Sequence, residues 1–380
     1  MKSSRSTKTG TKFRTEIPLL RPWLVKPEDL LPDFRAVWES GKLSRGEFTK
    51  RFEKLAAREL GAKEAVAVSS CTSGLILVLR ALGVKKKVVV PDYTFPATGH
   101  SALWVGAGLV FCDVDLDDFT LSPRALAKID DPEVEAVLAV NIFGLPPKVG
   151  ELEKICRTKG WKLIFDSAQG MGGEYKGRRC GGFGVAEVFS MSPSKLITSA
   201  EGGVITTNDP ELAAKLVSLR DYGKGPNEDM AAVGLSARLS ELLAVLAYKN
   251  LRHLKKLRAE REKLVKRYKK GLQDIEGIAF QEWNPDRKSG HNYFVFRVTG
   301  AAAKTRDELL QFLKEAGIEG KRYFYPALHQ LTAYEGVPSG HFPAAEQLCR
   351  EALAVPLYSG MSGKDQDLVV SRIREGLSGQ

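Results

Sequence analysis

The sequence has few cysteines and lacks a long apolar segment. Its five cysteines among 380 residues are scattered without metal-ligand spacing, and an odd, sparse set fits reduced thiols better than a disulfide framework. No apolar run approaches the length of a membrane-spanning helix. Residues 1–12 are polar and basic, without the apolar core of a secretory signal. These absences predict a cytoplasmic protein with no bound metal and no membrane contact.

Positive charge is in excess, because 57 Lys and Arg residues against 46 Asp and Glu residues give a formal net charge of +11. A basic protein can attract nucleic acid or an anionic membrane. Much of the excess lies in residues 249–270, where leucines recur at helical spacing and predict a long amphipathic helix with a solvated basic face. No zinc-finger or RNA-recognition motif accompanies it. We therefore expect no nucleic-acid partner. Because of the net charge alone, a nucleic-acid-binding or regulatory protein is kept as an alternative.

Short apolar strands alternate with helical segments over residues 65–207. This alternation predicts an α/β fold with a mainly parallel central sheet covered by helices on both faces. In such sheets, ligands bind beyond the carboxyl ends of the strands. Polar segments follow several predicted strand ends here, so the sequence predicts a site at that edge.

The C-terminal third predicts a smaller α+β domain. Phe294–Val298 alternates as a strand, and helical patterns follow at 306–316, 342–353 and 365–377. The chain is thus expected to divide into a disordered tail at 1–16, a large domain at 17–250 and a small C-terminal domain at 251–380. A site at the interface of the two domains is favoured.

Two residues supply what pyridoxal 5′-phosphate (PLP) chemistry requires. Asp166 follows the apolar strand 163–165, and Lys195 ends the run Phe189–Lys195. A lysine can form a Schiff base with a carbonyl cofactor, and an aspartate can keep a pyridinium nitrogen protonated. Taken singly, Lys195 is better explained as a surface lysine and Asp166 as a helix cap. Their order and context favour the PLP interpretation.

The residues from Phe165 to Asp209 resemble the core of the DegT/DnrJ/EryC1/StrS family of sugar aminotransferases, a branch of the fold-type I PLP-dependent enzymes. The likeness extends from about Ile17 to the C-terminus, and the motifs are specific as a set rather than singly. The matching pieces are Asp166–Gln169, Gly173–Gly177, Gly181–Gly184, Phe189–Ser190, Pro193–Lys195 and Glu201–Gly203.

The resemblance implies PLP as the cofactor and gives roles to individual residues. Lys195 is expected to carry PLP and to shuttle a proton, while Asp166 pairs with the ring nitrogen. Phe95 resembles the aromatic residue that stacks on the pyridine ring, and Gln169 resembles the residue that hydrogen-bonds its phenolic oxygen. The expected phosphate contacts are Thr72, Ser73, Ser190 and Ser236.

Two positions depart from the family pattern. Cys71 stands where a glycine usually precedes the threonine of the phosphate-binding turn. Ser236, within Gly234–Ser240, stands where asparagine is usual, so we expect a secondary phosphate contact at most. That segment resembles one that reaches the neighbouring subunit's cofactor, and it therefore implies a homodimer with shared active sites.

The resemblance also implies the reaction and its substrates. We expect transfer of an amino group from an amino acid, with glutamate as the donor, to a nucleotide-linked keto-sugar. A PLP-dependent sugar dehydratase of the same fold is an alternative, but such relatives carry histidine in place of the Schiff-base lysine, and Lys195 argues against it. The residues expected at the substrate entrance are Lys321, Arg322, Tyr323, Tyr325 and His329. Of these, His329 is equally well explained as a core residue and Lys321 as a solvated one.

Overall fold

Thirteen strands lie within residues 17–378, the part of the chain that the computed structural model describes, with the side chain of Glu228 excepted. The disordered tail expected at residues 1–16 lies outside the described residues. The strands are β1 (Glu64–Val68), β2 (Lys87–Pro91), β3 (Gly108–Cys112), β4 (Val134–Val140), β5 (Lys162–Asp166), β6 (Glu174–Tyr175), β7 (Arg178–Arg179), β8 (Ala186–Ser190), β9 (Gly203–Thr207), β10 (Ile278–Phe280), β11 (Arg287–Lys288), β12 (Phe294–Val298) and β13 (Ala352–Val355).

Twelve α-helices connect and cover these strands over the same residues. Several begin at a side-chain cap, such as Thr305 with its capping box, and several end at a left-handed glycine such as Gly61. None of these helices is long and apolar enough to cross a membrane. The helices are α1 (Pro27–Ser40), α2 (Glu47–Leu60), α3 (Cys71–Ala81), α4 (Ala97–Trp104), α5 (Pro123–Lys128), α6 (Val149–Lys159), α7 (Pro210–Leu219), α8 (Glu241–Leu251), α9 (Leu254–Leu272), α10 (Arg306–Glu315), α11 (Pro343–Glu351) and α12 (Gly363–Leu377).

The central sheet has seven strands in the order β1-β9-β8-β5-β4-β2-β3. β9 is antiparallel to both of its neighbours, and the remaining neighbouring pairs are parallel. Six strands therefore run in one direction, and the predicted mainly parallel α/β sheet is confirmed. Their carboxyl ends meet at one edge, where such sheets bind ligands.

Helices bury both faces of this sheet. Because side chains alternate along a strand, Val88 and Val90 of β2 pack in the cluster that includes Leu75 of α3. The intervening Val89 packs in the opposite cluster, which includes Phe52 of α2. The helices α3, α4 and α7 contribute to the first cluster, and α2, α6 and α8 to the second. Strands that are covered on both faces are apolar throughout, which explains their visibility in the sequence.

A smaller antiparallel sheet, β10-β12-β13, forms the centre of the C-terminal part. Tyr268 of α9, Leu309 of α10 and Ile373 of α12 pack against it around Phe296. Ile17 belongs to the same cluster and pairs with Ile318. The start of the described chain therefore packs with the sheet of the C-terminal part, and the division into domains at 17–250 and 251–380 stays a prediction.

Two helical predictions differ from the structure. The helix expected at 342–353 ends at Glu351, because the next four residues join β12 as strand β13. The basic stretch 249–270 is divided between α8 and α9, which are separated at Arg252 and His253. In the first case a strand partner distant in sequence decides the conformation, and local periodicity does not contain that information.

A buried ion pair joins the segment before β12 to the large domain. Arg287 of β11 places its guanidinium 2.8 Å from the carboxylate of Asp118, and the two side chains are 5% and 3% exposed. β11 itself pairs with β6. Lys148 also approaches Asp118, at 3.5 Å. This segment is thus held by both main-chain and charged contacts.

We predict that Arg287→Met destabilises the protein by about 3–5 kcal/mol, because it leaves a buried carboxylate with less compensation. The control is Arg372→Met, which breaks the more exposed pair with Glu375 and should cost less than about 1 kcal/mol. Chemical denaturation followed by circular dichroism measures both changes. Equal, small losses in the two variants would show that the Arg287 pair contributes no more than a surface contact.

Candidate active site

Most of the predicted cofactor residues lie at the carboxyl edge of the central sheet. Asp166 ends β5 and Ser190 ends β8, and these strands are neighbours. Thr72 lies in the first turn of α3, directly after β1, and Phe95 follows β2. The topology therefore gathers segments from four different strands of the large domain at one place.

The N-terminus of α3 is the element that can hold a phosphate. Ser70 caps it by accepting from the Ser73 N–H, and the Ser73 hydroxyl in turn accepts from the Ser70 N–H. The N–H groups of Cys71 and Thr72 belong to the first turn, where a helix offers no internal acceptors, and such termini bind anions. The hydroxyls of Thr72 and Ser73 were both predicted to contact the phosphate. In the structure, the Ser73 hydroxyl forms part of the α3 cap.

Glycine is required where β9 starts beside this turn. A Cβ on Gly203 would lie 2.7 Å from the carbonyl carbon of Ser70 and 2.8 Å from the nitrogen of Cys71. Gly203 is also paired in register with Ser190, whose Oγ lies 3.3 Å from the Ser192 N–H nitrogen. The Ser190 hydroxyl and the α3 N-terminus therefore flank the same glycine.

The carboxylate of Asp166 is buried and surrounded by donors. Its Oδ2 accepts from the Thr98 hydroxyl at 2.7 Å, and its Oδ1 accepts from the Ala168 N–H at 3.1 Å and lies 3.8 Å from the Cys71 Sγ. Burial raises the pKa of Asp166, while these donors and the positive charge of Lys195 act in the opposite direction. A buried carboxylate that faces a lysine is suited to hold a cationic ring nitrogen.

Lys195 is half-buried, and the chain before β12 packs against its segment. Its Nζ lies 5.8 Å from the ring centroid of Tyr293. The Oδ1 atom of Asn292 accepts from the Leu196 N–H at 2.9 Å, and the Asn292 N–H donates to the carbonyl of Phe143. Neither Asn292 nor Tyr293 has a recognisable signal in the sequence, since both precede the alternating pattern that marks β12.

The amide of Gln169 has a fixed orientation. Its Oε1 accepts from the Phe143 N–H at 2.6 Å, and the residue is 7% exposed. The NH₂ group is therefore the part of the side chain that remains to donate outward. That is the group which the predicted bond to a phenolic oxygen needs.

Phe95 has the exposure expected of a stacking residue. Its side chain is 57% exposed, and its ring centroid lies 6.2 Å from that of Phe324. Phe324 stacks on Phe143 at 5.9 Å. An aromatic cluster thus connects Phe95 with the predicted substrate segment and with the residue that binds Gln169.

Two of the predicted substrate residues, Tyr323 and Lys321, lie close to Tyr293, which is a neighbour of Lys195. The Tyr323 ring is 4.9 Å from that of Tyr293, and the Lys321 Nζ lies 5.1 Å over the Tyr323 ring. Burial raises the pKa of Tyr323, so its hydroxyl stays protonated over the working range. Lys321 and Tyr323 are therefore placed to extend the site beyond Lys195.

The other three predicted substrate residues have protein partners. Arg322 lies 3.0 Å from the carboxylate of Asp307, and its guanidinium carbon is 5.5 Å from the ring of Tyr325. The Nδ1 atom of His329 lies 2.7 Å from the carboxylate of Asp92, which is fully buried. His329 therefore has the contacts of a structural residue, and its role at the substrate entrance stays a prediction.

Ser236 lies on the surface rather than among the cofactor residues. The Arg238 guanidinium donates to its Oγ at 3.1 Å and also contacts the carboxylate of Asp221. Ser236 is thus held at an exposed position on a loop that begins near Tyr222. Its predicted contact with a phosphate requires a second copy of the chain.

A family model matches residues 26–374, which include all of the cofactor and substrate residues described above, and it is that of the DegT/DnrJ/EryC1/StrS aminotransferase family. The chain belongs to this family. The predicted family and enzyme class are confirmed, and the protein is an aminotransferase. The alternative based on net charge alone is therefore set aside.

Relatives of this aminotransferase match it over nearly its whole length. The erythromycin biosynthesis sensory transduction protein EryC1 of Saccharopolyspora erythraea is 33% identical over 347 residues, covering 90% of this chain and 93% of that protein. The dTDP-4-amino-4,6-dideoxy-D-glucose transaminase of Escherichia coli is 26% identical and covers 91% and 95%. The crystal structure of DesI in the presence of its TDP-sugar product has a TM-score of 0.91 at 29% identity, and covers 97% and 95%.

The aminotransferases of this family depend on PLP, and the residues described above fit that group. Only glycine fits at position 203, because a Cβ there would collide with the backbone at the N-terminus of α3. This close approach of two backbone segments suits a phosphate held by main-chain N–H groups. Asp166, Gln169 and Phe95 offer a carboxylate, an amide donor and an aromatic face, respectively. Lys195 supplies the amine that a carbonyl cofactor requires.

We predict that Lys195→Ala abolishes transamination and leaves the fold intact. Treatment with borohydride should attach PLP covalently to the wild type and not to this variant, as measured by the mass of the intact chain. Lys256→Ala changes a solvated lysine of α9 and serves as the control. Full turnover by the Lys195→Ala variant would contradict the assignment.

Proposed function

We propose that this aminotransferase transfers an amino group from an amino acid, glutamate, to a nucleotide-linked keto-sugar, with PLP as the cofactor. The observation that carries the proposal is the convergence of Lys195, Asp166 and Gln169 at one sheet edge in a member of this family. The relatives support the sugar: one is a dTDP-4-amino-4,6-dideoxy-D-glucose transaminase, and DesI was crystallised in the presence of a TDP-sugar product.

The residues divide the work of such a reaction. PLP, when bound, supplies a conjugated ring that accepts the electron pair released as a substrate bond to hydrogen breaks. The Nζ atom of Lys195 would hold the cofactor and, once freed, move the proton at the substrate carbon. Asp166 would keep a proton on the ring nitrogen, because its carboxylate is buried near Lys195 and is held by donors from Thr98 and Ala168. The NH₂ group of Gln169 would donate to the phenolic oxygen.

The space beside Tyr323 supports a large anionic substrate. A cavity of about 720 Å³ is bordered there by Lys321, Lys314 and Leu310, and by Leu19 from the start of the described chain. Its volume is within the range of small-molecule sites. Glu319 also borders the cavity, and its carboxylate accepts from the Leu19 N–H. The two lysines can meet a diphosphate, and an aromatic ring with leucines can accommodate a nucleoside. Binding energy gained there would position the keto group without entering the chemistry.

The alternative dehydratase is less well supported. Its relatives replace the Schiff-base lysine by histidine, whereas this chain has Lys195 next to Tyr293 and Asp166. Cytoplasmic location is part of the proposal and is supported by five cysteines that are all free and buried.

Exposed apolar side chains support a homodimer with shared active sites. On the loop that carries Ser236, Met230 is 53% and Val233 is 72% exposed, and on α1, Leu31 is 61% and Trp38 is 75% exposed. Large apolar side chains exposed in this number point to an interaction surface. A second copy covering the loop would bring Ser236 to the partner's cofactor.

We predict that Lys321→Gln raises the KM for the nucleotide sugar by about tenfold and leaves the KM for glutamate unchanged, because a bond to a charged group is removed. Arg322→Gln is the matched control, since Asp307 already engages that guanidinium, and it should have a smaller effect. Steady-state kinetics with glutamate and a panel of nucleotide keto-sugars measure both.

A matched rise for both substrates in Lys321→Gln would show that this segment does not face the nucleotide. Efficient exchange of simple keto acids, with no nucleotide sugar accepted, would overturn the sugar substrate itself. The enzyme would then belong among the broader fold-type I transaminases.

We predict that the protein is a dimer with twice the 41.7 kDa mass of the chain. Val233→Asp should weaken the dimer and PLP retention together, because it charges the loop that would enter the partner's site. Leu368→Asp, at an exposed position of α12, should change neither, and Ser236→Ala should weaken PLP retention only slightly. Light scattering with PLP titration measures these effects, and an active monomer would refute the prediction.

A further inference from the structure

We propose that Thr98 is a positioning residue for amino transfer. It holds Asp166, proposed to pair with the ring nitrogen, in a fixed position relative to Phe95, proposed to stack on the ring face. Thr98 lies in the first turn of α4, three residues after Phe95, and is fully buried. The inference rests on the PLP site proposed above. It adds a residue that neither the sequence motifs nor the cofactor chemistry had indicated.

The side chain of Thr98 fixes Asp166. Its Oγ1 donates to the Asp166 Oδ2 at 2.7 Å, and the two residues are 0% and 5% exposed. The Oγ1 of Thr94 lies 3.1 Å from the Oγ1 of Thr98 and can donate to it. A hydroxyl that accepts from one partner has its own proton free for the other, so Thr94 helps direct the Thr98 proton toward Asp166.

The main chain of Thr98 fixes the turn that carries Phe95. The Thr98 N–H donates to the Phe95 carbonyl at 3.2 Å. Because more than half of the Phe95 side chain is exposed, its ring has limited packing of its own to set its position. One buried residue therefore relates the position of the Phe95 backbone to that of the Asp166 carboxylate.

The charge state of Asp166 depends on what faces it. The groups around the carboxylate are the Thr98 hydroxyl, the Ala168 N–H, the Cys71 thiol and the Lys195 amine. Burial raises the pKa of Asp166, and the Thr98 bond lowers it because it stabilises the charged form. Removing the hydroxyl would raise the pKa, and a protonated carboxyl group cannot hold a proton on the ring nitrogen. Activity would then be lost first on the acid side of the pH profile.

Three single variants separate positioning from simple stabilisation. Thr98→Val keeps the shape and removes the hydroxyl, and Thr98→Ser keeps the hydroxyl. Thr207→Val is the matched control, because Thr207 is buried and donates to the Val185 carbonyl at 2.8 Å, on β9 and away from the cofactor residues. For each protein, the measurements are PLP binding to the apoenzyme, the pH dependence of kcat, KM for both substrates and the unfolding midpoint.

For Thr98→Val we expect a fall in kcat of about 10- to 100-fold, the loss typical of a bond to a charged group. Its KM values should stay unchanged, its PLP affinity should fall, and the acid limb of its kcat profile should move to higher pH. Thr98→Ser should restore wild-type behaviour. Thr207→Val should lower only the unfolding midpoint.

A double-variant cycle tests whether Thr98 acts through Asp166. On its own, Asp166→Asn should slow turnover by about 10²-fold, and adding Thr98→Val should then cost less than about twofold, since coupled residues are not additive. Additive losses would overturn the proposal. So would a Thr98→Val enzyme that resembles Thr207→Val, with the wild-type acid limb and PLP affinity. A wild type that does not bind PLP would overturn the proposed function as well.

Discussion

A carboxylate buried at the end of a parallel strand is the constraint on which the rest of the site depends. Asp166 is the last residue of β5, and its backbone is fixed in register between Val140 of β4 and Val188 of β8. A charge in that position is unfavourable unless donors and an opposite charge surround it. The N-terminal turns of α3 and α4 and the segment of Lys195 all approach the carboxylate. The sheet sets its position, and the turns that follow the strand ends supply its partners.

The turn after Asp166 is held from the other side of the sheet by a second buried carboxylate. The Ser167 hydroxyl donates to Glu187 of β8, and the same carboxylate accepts from the N–H groups of Gly181 and Phe183. Burial raises the pKa of Glu187 to about 7. The glycine-rich segment that resembles the family motif is therefore linked through Glu187 to the turn leading to Gln169. A Cβ on Gly181 or Gly184 would collide with the carbonyl oxygen of Leu60 or Leu163, so the glycines allow this segment to pack closely on its neighbours.

The parts of the fold and site that could be predicted are those with a local signal. Asp166 follows a strand that is apolar on both faces, and Lys195 closes a recognisable run, so both could be proposed from the sequence. Thr98 could not be found, because its contact spans 68 residues and a threonine in a helix has many ordinary explanations. Residue type also fails to separate a substrate-binding His329 from one that pairs with buried Asp92. Such distinctions depend on how the side chains pack, and the sequence pattern alone does not reveal that packing.

The pairing of the first described residues with the small domain has a consequence for synthesis of the chain. The Leu19 N–H bonds the carboxylate of Glu319, 300 residues later, and Ile17 pairs with Ile318 beside it. The seven strands of the large domain have all been translated once Thr207 is made. Domains generally fold as units during translation, so the central sheet can assemble while Ile17 still lacks its partner. Ile17 is therefore translated before the central sheet and docks after it, and a nascent chain released early would carry it exposed.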